Sequence, residues 1–404
     1  ERRLAEHPED TQAKMELGRA HAKLGDHELA HELWMEVLGS RKADVGSYTD
    51  IGFLEIRHRM FEQALETLMM GRAAFRSKAL FSQELTQVYT ALGDYDAAID
   101  ECLLTVNQHS GAVSWATNFI ELMLEEGASR GDVLARMAGI ARDQDATVSE
   151  LGLAGSVFLA LDDPERALAA FLRADEVSGR EGTELLGYAE ILIDDGRREQ
   201  ARDAYLMVVE RHHGTSNAAR AGTAAAGLLA EAGDPVGAVA ELRSVAEVFD
   251  GLSWGAQALF EAARVELDVL GDAEAALATT AELRGRFGDR AQRMNAELTM
   301  IEVDAFTKQR RFDEAHERAS DLARGEVPRD IQESALFAKG FTSFLVHDYA
   351  KATEEFRELV KTDAAGALVN DAIRLMLVIA NAQDAGDEEP VRLLAEAHAA
   401  RLAG

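Results

Sequence analysis

One stretch of the sequence has the residue types and spacing of a metal site: His27-Glu28-Leu29-Ala30-His31 reads H-E-x-x-H. On a helix the two imidazoles stand one turn apart, where they can share a zinc ion. The carboxylate between them can then serve as general base in peptide hydrolysis. Such a centre also needs a third protein ligand and a strand against which an extended substrate can lie. Glu55 and His58 are the nearest ligand candidates, and nothing in their spacing marks them out. Other chemistry is thin. There is no G-x-G-x-x-G, no phosphate-binding P-loop and no G-x-S-x-G, and a single cysteine, Cys102, rules out an internal disulfide or a thiolate pair. His212-His213 closes a helical stretch, where imidazolium charge favours the helix dipole.

Whether the histidine pair is a site depends on the elements that hold it. A phrase recurs along the chain: a small or polar residue, an Asp-like residue, three of any kind, then alanine. Gly25-Asp26 leads to Ala30, Gly93-Asp94 to Ala98, Asp162-Asp163 to Ala167 and Gly196-Arg197 to Ala201. Gly233-Asp234 leads to Ala238, Gly271-Asp272 to Ala276, Arg310-Arg311 to Ala315 and His347-Asp348 to Ala352. Weaker copies start at Arg59, before Ala64, and at Gly386, before Val391. Ala30, Ala64 and Ala98 are 34 residues apart, as are Ala167 and Ala201. The intervening copy is degenerate, around 127–137, and past Ala201 the spacing lengthens to 37–39 residues. Periods of this size signal a solenoid.

Each phrase reads as a helix–helix turn. Glycine tolerates the left-handed end of one helix, and Asp can cap the next. The alanine then falls one turn into the second helix, where a small side chain lets the two helices approach. Amphipathic segments precede the turns, as at 15–23 and 81–91, and follow them, as at 98–106 and 167–174, with apolar residues at i, i+3 and i+4. No stretch alternates with period two, so no sheet is expected. Ala30 thereby becomes a packing residue. His27 takes the place of Phe61, Tyr95, Phe312 and Tyr349, and His31 that of Leu65, Ile99 and Leu277, all packing positions between hairpins. The H-E-x-x-H stretch therefore reads as structural, with a zinc metalloprotease as the alternative. No catalytic residue, metal or cofactor is expected, and Cys102 reads as a buried structural thiol.

The chain resembles the tetratricopeptide repeat (TPR) family. Its first-helix pattern is matched by Leu17-Gly18, by Tyr48 with Ile51-Gly52, by Leu85 with Tyr89 and by Ala154-Gly155 with Phe158. The large second-helix residue is matched by Trp34, Phe171, Tyr205 and Phe356, and the terminal proline by Pro8 alone. The resemblance implies an all-α, TPR-like α-solenoid, a right-handed superhelix of about eleven helical hairpins. Residues 1–10 read as the end of a preceding repeat and 11–181 as repeats near the 34-residue period. Longer repeats follow over 182–387, and 388–404 form a capping helix. The longer repeats, with Ala201, Tyr205, Val208-Val209 and His212, or Ala352, Phe356, Leu359-Val360 and Ala364, are similar to the TPR variant of bacterial cell-envelope assembly proteins. That likeness favours periplasm or cell envelope over cytoplasm.

In a TPR array the first helices line the concave face. Carrying that spacing over gives Met15, Arg19 and Ala22, then Thr49, Phe53 and Ile56, then Leu80, Gln83 and Gln87, and near the C-terminus Phe337, Phe341 and Phe344. Such a groove suits an extended peptide or an amphipathic helix with apolar anchors; the alternative is that the three phenylalanines pack on one another. The basic clamp of chaperone-tail binders is missing at Met15, Phe53, Gln83 and Gln87. The net charge of -30 excludes nucleic acid as a direct ligand. No apolar run nears the roughly 18 residues of a membrane span. The function implied is a non-enzymatic protein–protein interaction scaffold or adaptor. It would bind a polypeptide through the concave face or the N-terminal end, as a subunit of a larger complex. The alternative is a permanent structural subunit of a bacterial cell-envelope assembly, and the sequence leaves homo-oligomerisation open.

Overall fold

A computed structural model of the chain describes residues 4, 7, 9–40, 43–362 and 365–402. Pro8, Ala364 and most of 1–10 lie outside the described residues. The recurring phrase explains the architecture. Its first residue is left-handed in every hairpin: Gly25, Arg59, Gly93, Gly127, Asp162, Gly196, Gly233, Gly271, Arg310, His347 and Gly386 have φ between 55° and 117°. The turn after it closes in the Schellman manner. Asp26 N–H donates to the His21 carbonyl at 3.0 Å and Gly25 N–H to that of Ala22 at 3.2 Å. The aspartate then caps the next helix where it can. Asp94, Asp163, Asp234 and Asp272 each accept from the backbone N–H three residues on.

The chain divides into two compact units, residues 1–180 and 181–404. Unit 1 holds five hairpins: α1 (Thr11–Leu24) with α2 (His27–Leu38), α3 (Val45–Arg57) with α4 (Phe61–Phe75), and α5 (Ser82–Leu92) with α6 (Tyr95–Gln108). Then come α7 (Val113–Glu125) with α8 (Arg130–Arg142) and α9 (Val148–Ala160) with α10 (Pro164–Ser178). Unit 2 continues with α11 (Thr183–Asp194) and α12 (Arg198–Arg211), α13 (Ser216–Glu231) and α14 (Pro235–Val248), and α15 (Ser253–Arg264) and α16 (Ala273–Phe287). A short α17 (Asp289–Arg293) precedes α18 (Asn295–Lys308) and α19 (Phe312–Arg324). The last pairs are α20 (Arg329–Leu345) with α21 (Tyr349–Thr362) and α22 (Val369–Ala385) with α23 (Glu389–Leu402). Among the described residues there is no strand.

The degenerate copy is a full hairpin with a turn one residue longer. Gly127 is left-handed, Ser129 caps α8 by accepting from Asp132 N–H, and Val133 fills the place of the buried alanine. Asp132, where an exact 34-residue period would put that alanine, stays exposed. The longer spacing of unit 2 has a visible cause. Its first helices α13, α20 and α22 hold 16, 17 and 17 residues, against 11 to 14 in unit 1. Inserted α17 adds more, and α15 ends in a π turn over Val265–Val269. Each unit has its own core, in unit 1 around Trp34, Ile51, Leu68 and Leu85, and in unit 2 around Leu242, Phe249, Leu259, Phe344 and Phe356.

Candidate functional site

His31 is committed to a structural contact. Its Nδ1 lies 2.7 Å from Oε1 of Glu55, a fully buried carboxylate on the first helix of the next hairpin. Burial holds the Glu55 carboxyl above its usual range, and the His31 hydrogen bond pulls it back. The expected packing position thus turns out polar: imidazole and carboxylate bridge neighbouring hairpins. The device recurs in unit 2, where His316 Nε2 lies 2.8 Å from Glu355 Oε1 and Ser343 Oγ donates to Glu355 Oε2 at 2.7 Å. Among the described residues no three of His, Cys, Asp and Glu gather in a way that could hold a metal ion. Cys102 is buried, its thiol pushed up to about 12 by desolvation, too high for a thiolate nucleophile near neutral pH.

The free face of each first helix is set by the small residue its partner helix covers. A Cβ built on Gly18 would stand 2.3 Å from Trp34 Nε1, one on Gly155 2.6 Å from Phe171, and one on Gly340 2.7 Å from Phe356. In each pair the large residue follows sixteen positions after the glycine, and Gly52 with Leu68 repeats the arrangement. Small against large at this spacing, on either side of a left-handed turn that recurs every 34–39 residues, defines the hairpin type.

The chain folds as a tetratricopeptide-repeat array. No family model and no curated protein matches its sequence. Among solved structures it is similar to YrrB, a TPR protein with an unusual peptide-binding site, at 16% identity and TM-score 0.37, over 51% of this chain and 98% of that one. It is similar to the human IFIT1 dimer with m7Gppp-AAAA, at 12% identity and TM-score 0.38, over 90% of this chain and 91% of that one. The APC/C hetero-tetramer Cut9-Hcn1 is similar at 13% identity and TM-score 0.34, over 92% and 91%.

Of the TPR groove positions, Phe53 is exposed at 58% and Gln83 and Gln87 are also exposed. Arg19 is half-buried, while Met15 and Leu80 pack against the unit 1 core. Ile56 and Phe344 are buried and present no surface. Phe337 and Phe341 are half-buried and stack at 5.7 Å between ring centres, and His398 of α23 sets its ring edge-on to Phe341 at 5.5 Å. The spacing thus brings Arg19 and Phe53 together at one surface and stacks the three phenylalanines on one another, with only Phe344 fully buried.

Two cavities on first helices of the TPR hairpins contain residues that the sequence reading did not name. In unit 2 a groove of about 350 Å³ crosses α11, α13 and α15, lined by Leu186, Ala219, Ala224 and Trp254 and by Tyr205 of the second helix α12. Trp254 is 40% exposed there. Glu190 and Arg220 face each other across its rim at 3.9 Å. In unit 1 a pocket of about 610 Å³ lies between α1 and α3, with Phe53, Arg19, Lys23, Arg57 and His58 in its wall. An exposed tryptophan one residue into a first helix was the signal available for the first. Lys23 and Arg57, each one turn beyond a named position, were the signal for the second.

Proposed function

We propose that the chain is a non-enzymatic protein–protein interaction scaffold that binds a polypeptide partner on the first-helix faces of its repeats. The observation that carries this reading is the groove across α11, α13 and α15. Three successive first helices contribute to one apolar trough, small alanines make room for a side chain, and Trp254 stands exposed beside it. A large, rigid aromatic beside an apolar pocket is the usual form of an interface anchor. The flanking Glu190 and Arg220 can orient a peptide backbone or polar side chain without filling the trough. The inter-hairpin bridges at Glu55 and Glu355 support a scaffold role, because they fix neighbouring repeats to one another.

The reading is tested by affinity purification from the native organism with cross-linking, at low and high salt. Cross-links to residues beside Trp254 or Phe53, lost in Trp254→Ala or Phe53→Ala, are the expected result. Cross-links confined to hairpin edges and chain ends, in a particle that survives high salt, mean a permanent structural subunit and remove the groove reading.

A further inference from the structure

The pocket between α1 and α3 is cationic in a chain of net charge -30. Arg19 and Lys23 stand one turn apart on α1, Arg57 is the last residue of α3, and His58 follows it. Arg19 is paired with Glu16 at 2.9 Å. Lys23 and Arg57 are exposed and, among the described residues, have no carboxylate within ion-pair reach. The nearby Asp26 is taken by His21 at 3.2 Å. The local field shows in His58, whose pKa is lowered by burial first and then by Arg57, His27 and Lys23. Part of this charge serves the negative ends of the two helices, where a cation is favoured. That role does not account for Phe53, which stands exposed one turn before Arg57 in the same pocket wall.

We propose that this pocket takes an acidic segment of a partner polypeptide, its Asp and Glu carboxylates on Lys23 and Arg57 and one apolar side chain laid on Phe53. The proposal rests on the reading of the first-helix faces as polypeptide-binding surfaces and names the chemistry of one ligand. A nucleic-acid backbone fits less well. Glu16 and Asp50 line the pocket and repel a continuous row of phosphates, and the net charge opposes any long polyanion. A short segment can place its carboxylates at the cationic side and keep clear of these acids. A second copy of this acidic chain is disfavoured by the same net charge.

The test uses the full chain and fluorescence anisotropy of a short labelled peptide of Asp and Glu around one leucine. The expected result is binding that weakens with salt and is lost by about tenfold or more in Lys23→Glu/Arg57→Glu. Lys351→Glu/Lys361→Glu, exposed lysines of α21 with the same change in net charge, is expected to leave binding nearly unchanged. Phe53→Ala is expected to weaken it several-fold. Equal losses in both double variants reduce the effect to overall charge and overturn the proposal. So does competition by an oligodeoxynucleotide as effective as the peptide, which assigns the pocket to polyanions at large. Concentration-dependent self-association that blocks the peptide assigns it to a second copy. No binding of the acidic peptide, with cross-linking at Trp254 intact, removes this inference and leaves the groove reading standing.

Discussion

Two first-helix faces of this molecule carry aromatic side chains, and they end in different environments. On α3 in unit 1, Phe53 is exposed at 58%, above a cavity bordered by charged residues. On α20 in unit 2, Phe337, Phe341 and Phe344 run down the helix at ring spacings of 5.7 and 6.2 Å, and His398 of α23 sets its ring edge against Phe341 and Phe344. Both faces follow the same repeat chemistry, with a glycine turned toward the partner helix, at Gly52 and at Gly340. What differs is the neighbour. α20 is met by α23, a helix of the last hairpin that supplies Val391, Ala395 and Ala399 to the same core. An aromatic row on a first helix is therefore a ligand surface only where no later helix of the chain lies across it.

The sharpest way to break this comparison is truncation of one ring on each face. Phe344→Ala empties a fully buried site and is expected to cost about 3–5 kcal/mol in urea unfolding. Phe53→Ala removes an exposed ring and is expected to change stability by no more than about 0.5 kcal/mol. A comparable loss at both positions means that α3 is also covered in solution. A smaller effect comes from charging the lid. His398→Asp sets a carboxylate against the Phe341 and Phe344 rings and is expected to cost about 1–3 kcal/mol. Phe53→Asp, facing water, is expected to be tolerated.

Acidification should act on the His398 and Glu55 sites with opposite signs. The His398 pKa lies below the ordinary imidazole value of 6.5, through burial and then Arg401. The unfolded chain therefore takes up this proton first, so the contribution is present above that value and lost as pH falls through it. Glu55 is the reverse case. Burial raises its pKa above the ordinary 4.5, the folded state holds the proton more tightly, and the contribution grows as pH falls through the window just above that value. Hydrogen exchange read peptide by peptide tests both, with His398→Leu and Glu55→Gln expected to flatten the respective slopes. Parallel slopes in the peptides that carry His398 and Glu55 contradict the assignment.

The hairpins were legible in the sequence because their signals are local. A left-handed residue, a cap and a small residue one turn later lie within six positions, and even the degenerate copy around Gly127 keeps the left-handed residue and the cap. The surface was legible only in part, because exposure depends on helices far along the chain. Ile56 satisfies the groove spacing and is buried at the junction with its neighbours, as is Phe344. The bridge from His31 to Glu55 spans 24 residues and joins an imidazole at a packing position to a carboxylate that nothing in its spacing marks out. Trp254 is not legible locally, because a tryptophan in the first turn of a first helix can equally be core, and its exposure is set by the neighbouring hairpins.

The smallest effect tests whether the turns that aim these two faces are equivalent. Arg59 follows α3 at φ 60° and His347 follows α20 at φ 65°, both left-handed without being glycine. An L-residue there costs about 1–2 kcal/mol relative to the right-handed region, and glycine removes that cost while adding roughly 0.5–1 kcal/mol of unfolded-chain entropy. Arg59 is exposed, and no packing is lost when its side chain goes. Arg59→Gly is therefore expected to stabilise by about 0.5–1 kcal/mol, a shift of a few degrees at most in thermal unfolding. His347 lies 6.1 Å from the Tyr349 ring, itself part of the core under α20, so His347→Gly surrenders that contact and gains less. A larger gain at His347 than at Arg59 means that the turn after α20 is the more strained of the two.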